Sequence, residues 1–165
     1  MLESDAAVRE AWEGLATQLR GLAEGEPGWL PVLANASALL MDGLEDLNWA
    51  GFYLDDGRGL VLGPFQGKLA CVRIALGRGV CGTAAQADEA QLVEDVHAFP
   101  GHIACDAASR SELVVPIHRE GRVVGVLDMD SPSLARFGAT DLAGACAFVA
   151  ALEEVCDWAS LPTGA

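Results

Sequence analysis

The feature that most constrains the fold is a change of sequence pattern at Asn48. Beyond it the chain consists of short runs of Val, Ile, Leu and aromatic residues, each closed by Gly or Asp. Such runs between turn residues are typical of β-strands. The segment before Asn48 and the last 25 or so residues instead carry the spacing of amphipathic helices. The sequence therefore predicts an α+β fold with a central antiparallel sheet flanked by N- and C-terminal helices.

The N-terminal segment predicts two helices. The first should begin with Ser4 as its N-cap and end near Gly25, and the second should run from about Pro31 to Leu44. Apolar residues repeat at steps of three and four in the first helix, at Val8, Trp12, Leu15, Leu19 and Leu22. One face of that helix is therefore expected to be buried.

The C-terminal helix is predicted with Thr140 as its N-cap and an end near Trp158. Its expected buried face comprises Leu142, Ala145, Cys146, Val149 and Leu152. A cysteine buried in a helix behaves as a small apolar residue, so Cys146 and Cys156 are interpreted as packing residues.

About six strands are expected between these helices. Trp49 to Leu54 and Leu60 to Phe65 predict one hairpin, and Glu112 to His118 and Arg122 to Asp130 predict a second. Shorter strands are predicted at Ala70 to Ile74 and Gln91 to Val93, with a brief helix at Val80 to Gln86. We expect one domain over residues 1–165, with N-terminal helices in 1–46, the sheet and its loops in 47–131 and the last helix in 139–158.

Charge and composition exclude several classes of function. The 24 Asp and Glu outnumber the ten Lys and Arg, which gives a formal charge of −14. Nucleic acid and anionic membrane surfaces are unfavourable partners for such a chain. The charged start MLESDAAVRE does not fit a secretory signal, so a cytoplasmic location is expected, where cysteines with a function are more often catalytic or metal-binding than paired.

Three of the five cysteines, Cys71, Cys81 and Cys105, lie beside turn residues, where reactive groups are common. Burial as small apolar residues is an alternative for each. Zinc binding is another, with His97 and His102 as further ligands, although only His102 and Cys105 have the close spacing of a structural zinc site. The residues alone leave these interpretations open, and we expect no metal.

A cluster of acids is the second candidate. Asp128 and Asp130 alternate with Met129 at the end of a predicted strand, so both carboxylates should face one side of the sheet. Glu112 opens the neighbouring strand, and antiparallel pairing can bring it close to them. Crowded carboxylates cannot all ionise cheaply, so at least one should hold a proton near neutral pH. The alternative is a solvated strand end.

Several long strings resemble the free methionine-(R)-sulfoxide reductase family, which uses a GAF domain. They are NWAGFYL (48–54), LGPFQGKLACVRI (62–74), GRGVCGTA (77–84), EDVHAFPGHIACDAASRSELVVPI (94–117) and GVLDMDS (125–131). The resemblance implies that Cys105 is the catalytic cysteine, Cys71 the main resolving cysteine and Cys81 a further cysteine in the exchange. It also implies a substrate pocket, made of Trp49, Glu112, Asp128 and Asp130.

This resemblance implies an oxidoreductase that reduces free L-methionine (R)-S-oxide through a sulfenic acid and a disulfide. Thioredoxin would recycle the enzyme, no cofactor would be needed, and the activity would protect against oxidative damage. The family also suggests a homodimer. The competing hypotheses are a GAF module that senses a small ligand and a zinc-dependent protein.

Overall fold

The computed structural model describes residues 2–102 and 106–161 of the 165-residue chain. The helices are α1 (Leu2–Ala23), α2 (Trp29–Gly43), α3 (Gly79–Ala87) and α4 (Ala139–Val155). The strands are β1 (Trp49–Asp55), β2 (Leu60–Gly67), β3 (Arg73–Ile74), β4 (Gln91–Val93), β5 (Ser111–Arg119) and β6 (Arg122–Ser131). Two single 3₁₀ turns cover Val96–Ala98 and Trp158–Ser160.

The six strands form one antiparallel sheet in the order β3-β2-β1-β6-β5-β4. Both predicted hairpins are present, as the pairs β1–β2 and β5–β6. The second closes through Glu120 and Gly121, both of which have positive φ, at 52° and 75°. Two successive left-handed residues match the right-handed twist of the strands that they join. The predicted α+β architecture is therefore confirmed.

Alternate residues of the central strands face two different cores. Ala50, Phe52 and Leu54 of β1 belong to the larger core under α1, α2 and α4. Trp49 and Tyr53 of the same strand belong to a smaller core on the opposite face, which includes Val80 and Cys81 of α3. The candidate site lies on this second face.

Helices α1 and α4 pack closely because Gly144 lies against Trp12. A Cβ placed on Gly144 would come within 2.2 Å of Trp12 Cγ. The indole Nε1 of Trp12 donates to Asp141 Oδ1 at 3.2 Å, which satisfies a buried polar group across the same contact. In the described residues, no helix is long and apolar enough to cross a membrane.

Several sequence predictions about helix ends were wrong. Helix α1 already includes Leu2, so Ser4 is not its N-cap, and α4 begins at Ala139 after Gly138 rather than after Thr140. It ends at Val155, and Trp158 lies in the following 3₁₀ turn. Short polar residues favour N-caps only statistically, and tertiary packing sets the true ends.

Three burial or length predictions also need correction. Cys146, on α4, is exposed. Leu22, on α1, is 49% exposed, because the buried face of α1 ends on Ala23 instead. The predicted strand at Ala70 to Ile74 shrinks to Arg73–Ile74, which pair with Leu60 and Val61 of β2. Cys156 is buried as expected, although it caps α4 rather than lying within it.

Candidate active site

A small pocket, with a volume of about 40 Å³, opens on the small-core face of the sheet. Its walls come from β1, β3, β5, β6, the start of α3, and the loops that join β2 to β3 and β4 to β5. The residues that line it are Trp49, Tyr53, Leu69, Ala70, Ile74, Arg78, Gly79, Val80, Cys81, His102, Asp106, Ser109, Glu112, Asp128 and Asp130.

Strand register brings the three predicted acids together in this pocket. Glu112 of β5 pairs directly with Asp130 of β6, and Asp128 lies two residues further along the same face. Glu112 and Asp128 are each 6% exposed, and Asp130 is partly buried. Asp128 Oδ1 has no hydrogen-bond partner among the described residues, so the pocket presents a buried acceptor.

Burial sets the protonation of these acids. It raises the pKa of Glu112 well above its ordinary value, and the charges of Asp128 and Asp130 raise it further. Burial also raises the pKa of Asp130, with the charges of Asp128 and Asp106 adding to the effect. The pKa of Asp128 rises only to about 6, because its interactions with Glu112 and Cys81 oppose burial. Near neutral pH the cluster therefore combines a proton donor with a carboxylate.

Cys81, on the first turn of α3, completes this cluster. Its Sγ lies 3.9 Å from Glu112 Oε1, and the thiol is free and buried. Burial, together with the charges of Asp128 and Glu112, raises its pKa well above the ordinary value. A thiol in this state is a weak nucleophile at neutral pH.

Cys71 lies at the edge of the same pocket, partly buried against the small core. Its carbonyl accepts a hydrogen bond of 2.9 Å from Tyr53 Oη, and its neighbour Ala70 lines the cavity. The sulfur of Cys71 is in a disulfide, whereas Cys81, Cys146 and Cys156 are free. Cys105, the predicted nucleophile, lies outside the described residues.

A group of aromatic side chains lies beside the acids on the same face of the sheet, where Trp49 of β1 pairs with Asp130 of β6. Trp49 stacks on Phe65 with ring centroids 5.2 Å apart and on Tyr53 at 6.0 Å, and its Nε1 donates to Lys68 O at 3.2 Å. Gly51 makes this stacking possible, since a Cβ there would lie 2.8 Å from the Trp49 ring and 2.3 Å from Phe65 Cβ. These rings therefore offer an apolar surface next to the carboxyl groups.

Sequence reasoning missed several pocket residues. Tyr53 is four residues from Trp49 on the same strand, so period-2 alternation could have placed it on the same face. Asp106 and Ser109 follow Cys105 in an irregular loop, for which no periodicity gives a direction. His102, considered only as a zinc ligand, lines the pocket.

One group in the described residues could hold a metal ion. Cys81, Glu112 and Asp128 each offer an atom within 4.8 Å of the others. Zinc accepts both a soft thiolate and a hard carboxylate as ligands. His97 and His102 are not part of this group; their rings make an edge contact at 6.2 Å instead. The zinc ligands considered from the sequence are thus not gathered in the described structure.

Comparison with known proteins decides the family. A GAF domain model matches residues 32–152. The chain is 53% identical to the free methionine-R-sulfoxide reductase of Escherichia coli (strain K12) over 146 residues, which covers 88% of each protein. The chain belongs to the free methionine-R-sulfoxide reductase family.

Solved structures agree with this assignment. The free methionine-R-sulfoxide reductase from Neisseria meningitidis, solved in complex with its substrate, is 45% identical with a TM-score of 0.83, covering 87% of this chain and 86% of that one. A structure described as a putative GAF sensor protein from Burkholderia vietnamiensis is 56% identical with a TM-score of 0.87, covering 90% and 95%. The predicted resemblance to the free methionine-R-sulfoxide reductase family is therefore confirmed.

Proposed function

We propose that this protein reduces free L-methionine (R)-S-oxide to L-methionine with its own cysteines. The observation that carries the proposal is the cluster of Glu112, Asp128 and Asp130 beside Trp49 in one pocket, in a chain of the free methionine-R-sulfoxide reductase family. A sulfoxide has partial positive charge on sulfur and partial negative charge on oxygen. It therefore needs a nucleophile at sulfur and a proton donor at oxygen.

The carboxyl groups divide these tasks by their protonation. Glu112 holds its proton near neutral pH, because burial and neighbouring charges raise its pKa, and it donates to the sulfoxide oxygen. Asp128, with a pKa of about 6, is mostly ionised there, and its unpartnered Oδ1 accepts from the substrate ammonium. Trp49 packs against the S-methyl group.

Cys105 is the proposed nucleophile. Its thiolate attacks the sulfoxide sulfur, the S–O bond breaks as the oxygen passes to the cysteine sulfur, and methionine leaves while Cys105 becomes a sulfenic acid. The Cys71 thiol then attacks this sulfenic acid, releases water and forms a disulfide. Participation of Cys71 in a disulfide, while the other described cysteines are free, supports its role as the resolving residue.

A dithiol reductant must close the cycle, and we propose thioredoxin for this step, in the cytoplasm. Methionine is regenerated without a cofactor, which would protect the cell against oxidative damage. Burial raises the pKa of the Cys81 thiol, which makes it a poor first nucleophile. Its proposed role is therefore thiol exchange later in the cycle.

The experiment is turnover of each epimer of free methionine sulfoxide with a dithiol reductant. We expect the R epimer to be consumed and the S epimer to remain. Cys105→Ser should abolish turnover, and Cys71→Ser should keep the first turnover but lose thioredoxin-driven cycling. Cys146→Ser, on the exposed face of α4, is the matched control and should have parental activity.

Each competing function predicts a different result. A sensor would bind methionine sulfoxide without turnover of either epimer. A zinc-dependent enzyme would contain zinc by elemental analysis and would lose activity with a chelator. Parental turnover in Cys105→Ser would show that Cys105 is not the nucleophile.

A further inference from the structure

Asn48 connects the first strand to a turn in the pocket wall. Its Nδ2 donates to Asp106 Oδ2 at 3.1 Å and to Ser109 Oγ at 3.0 Å, while its backbone N–H donates to Asp130 O at 3.0 Å. We propose that Asn48 is a positioning residue, which holds the Asp106–Ser109 turn in the pocket wall so that sulfoxide reduction is efficient. The inference rests on the proposed function for its catalytic consequence.

The turn is internally ordered, but few of its bonds reach the sheet. Asp106 Oδ1 accepts from Ala108 N at 2.9 Å and Asp106 O accepts from Ser109 N at 3.2 Å, and both bonds lie within the turn. The Asn48 side chain supplies two bonds from outside it. Asn48 Oδ1 has no partner among the described residues, so this attachment depends on Nδ2 alone.

The turn lies directly after the proposed nucleophile in the chain. Consecutive Cα atoms are about 3.8 Å apart, so the anchoring of Asp106 limits where Cys105 can be placed. A shift of roughly 1 Å in a reacting group can lower the rate by about 10²-fold. Asn48, which is not among the residues that line the pocket, thus influences the chemistry through Asp106.

Asp106 also carries charge into the pocket. The hydrogen bond from Ala108 N lowers its pKa, and the bond from Asn48 adds to this, so Asp106 stays ionised. Its negative charge contributes to the raised pKa of Asp130, after burial and Asp128. Among the described residues, the other titratable or charged groups at this pocket are Tyr53, Lys68, Arg78, Cys81, His102, Glu112 and Asp128. A change in the position of Asp106 should therefore be detectable as a change in the pKa of Asp130.

An exchange of side chains tests the hydrogen bond. Asn48→Asp places two carboxylates against one another, so it should lower kcat/KM for the free R sulfoxide by about tenfold or more, mainly through kcat. Asp106→Asn should lower it less, because the Asn48 amide can turn and accept through its unpartnered Oδ1. The double variant exchanges donor and acceptor, and Ala108 N keeps an oxygen to bond. It should recover to within about threefold of the parent.

A carboxyl ¹³C NMR titration tests the placement of Asp106 without any activity. The pKa of Asp130 should fall in Asp106→Asn. It should fall less, in the same direction, in Asn48→Ala, which removes no charge. Asp95→Asn is the matched control, because Asp95 accepts from His97 N at 3.0 Å in a similar turn outside the pocket and should leave Asp130 unchanged.

The possible results separate the two proposals. The role of Asn48 is overturned if kcat/KM of the Asn48→Asp variant is within twofold of that of an active parent. It is also overturned if kcat/KM of the double variant is no higher than that of the less active single variant. An Asp130 pKa that is unchanged in Asn48→Ala overturns it as well. An inactive parent overturns the proposed function, while the NMR titration still decides whether Asn48 holds Asp106 beside Asp130.

Discussion

Glu112 and Asp128 have the same functional group, but the fold gives them different protonation. Both are almost fully buried, yet the pKa of Glu112 rises well above its ordinary value while that of Asp128 rises only to about 6. A buried acid with a raised pKa destabilises the fold as pH rises. The folded state then holds a proton that the unfolded state has released.

We predict that Glu112→Gln stabilises the protein and lowers its activity. The amide is neutral at every pH, so the variant avoids a cost that begins near the ordinary pKa of about 4.3 and grows by up to about 1.4 kcal/mol per pH unit until the raised pKa is reached. Loss of the proton donor should lower kcat by about 10²-fold or more.

Thermal unfolding between pH 5 and 8 measures this difference, with the exposed Glu10→Gln on α1 as the matched control. The advantage of Glu112→Gln over the parent should increase with pH, and the control should follow the parent. Equal unfolding temperatures at all pH values would mean that Glu112 is ionised in the folded state.

At the scale of elements, alternation along the strands made both the sheet and the acid cluster predictable. A period of two assigns Asp128 and Asp130 to one face, and the β5–β6 hairpin then brings Glu112 to them. The Asp106–Ser109 turn was not predictable, because its direction comes from side-chain bonds to Asn48 rather than from a repeat. Cys146 was misplaced because α4 is rich in small apolar residues on several faces, which blurs its buried stripe.

The contact between α1 and α4 gives a prediction at this scale. Gly144→Ala should destabilise the protein by about 1–3 kcal/mol, because the new methyl group would overlap Trp12. Gly14→Ala, in an exposed part of α1 with open space around its Cα, should stabilise it by about 0.5–1 kcal/mol. Denaturant unfolding measures both. An unchanged unfolding free energy in Gly144→Ala would mean that the two helices can move apart without a cost in stability.

At the scale of the whole molecule, His118 joins the sheet to helices on both of its faces. It lies on β5, where its Nδ1 is 3.1 Å from Glu153 Oε1 of α4 and its Nε2 is 2.6 Å from Asp88 Oδ1 at the end of α3. Burial opposes protonation, but the bonds and charges of Asp88 and Glu153 outweigh it, so the pKa of His118 is raised.

A raised histidine pKa stabilises the fold at low pH. The contribution is fully present below the ordinary pKa of about 6.5 and is lost as pH rises through the raised value. His118→Gln should therefore cost about 1 kcal/mol at pH 5.5, a value reduced for partial exposure, and much less at pH 8.5. Chemical denaturation at the two pH values measures this, with the exposed His97→Gln as control. An equal loss of unfolding free energy at pH 5.5 and pH 8.5 would mean that the charge on His118 does not stabilise the fold.

The most direct test of the central claim is a single turnover without reductant, followed by intact mass and peptide mapping. One equivalent of free methionine (R)-S-oxide should release one methionine per reduced protein. The protein should lose two hydrogens, in a disulfide mapped to Cys71 and Cys105. Release of no methionine, or an oxidised pair that excludes Cys105, would contradict the account.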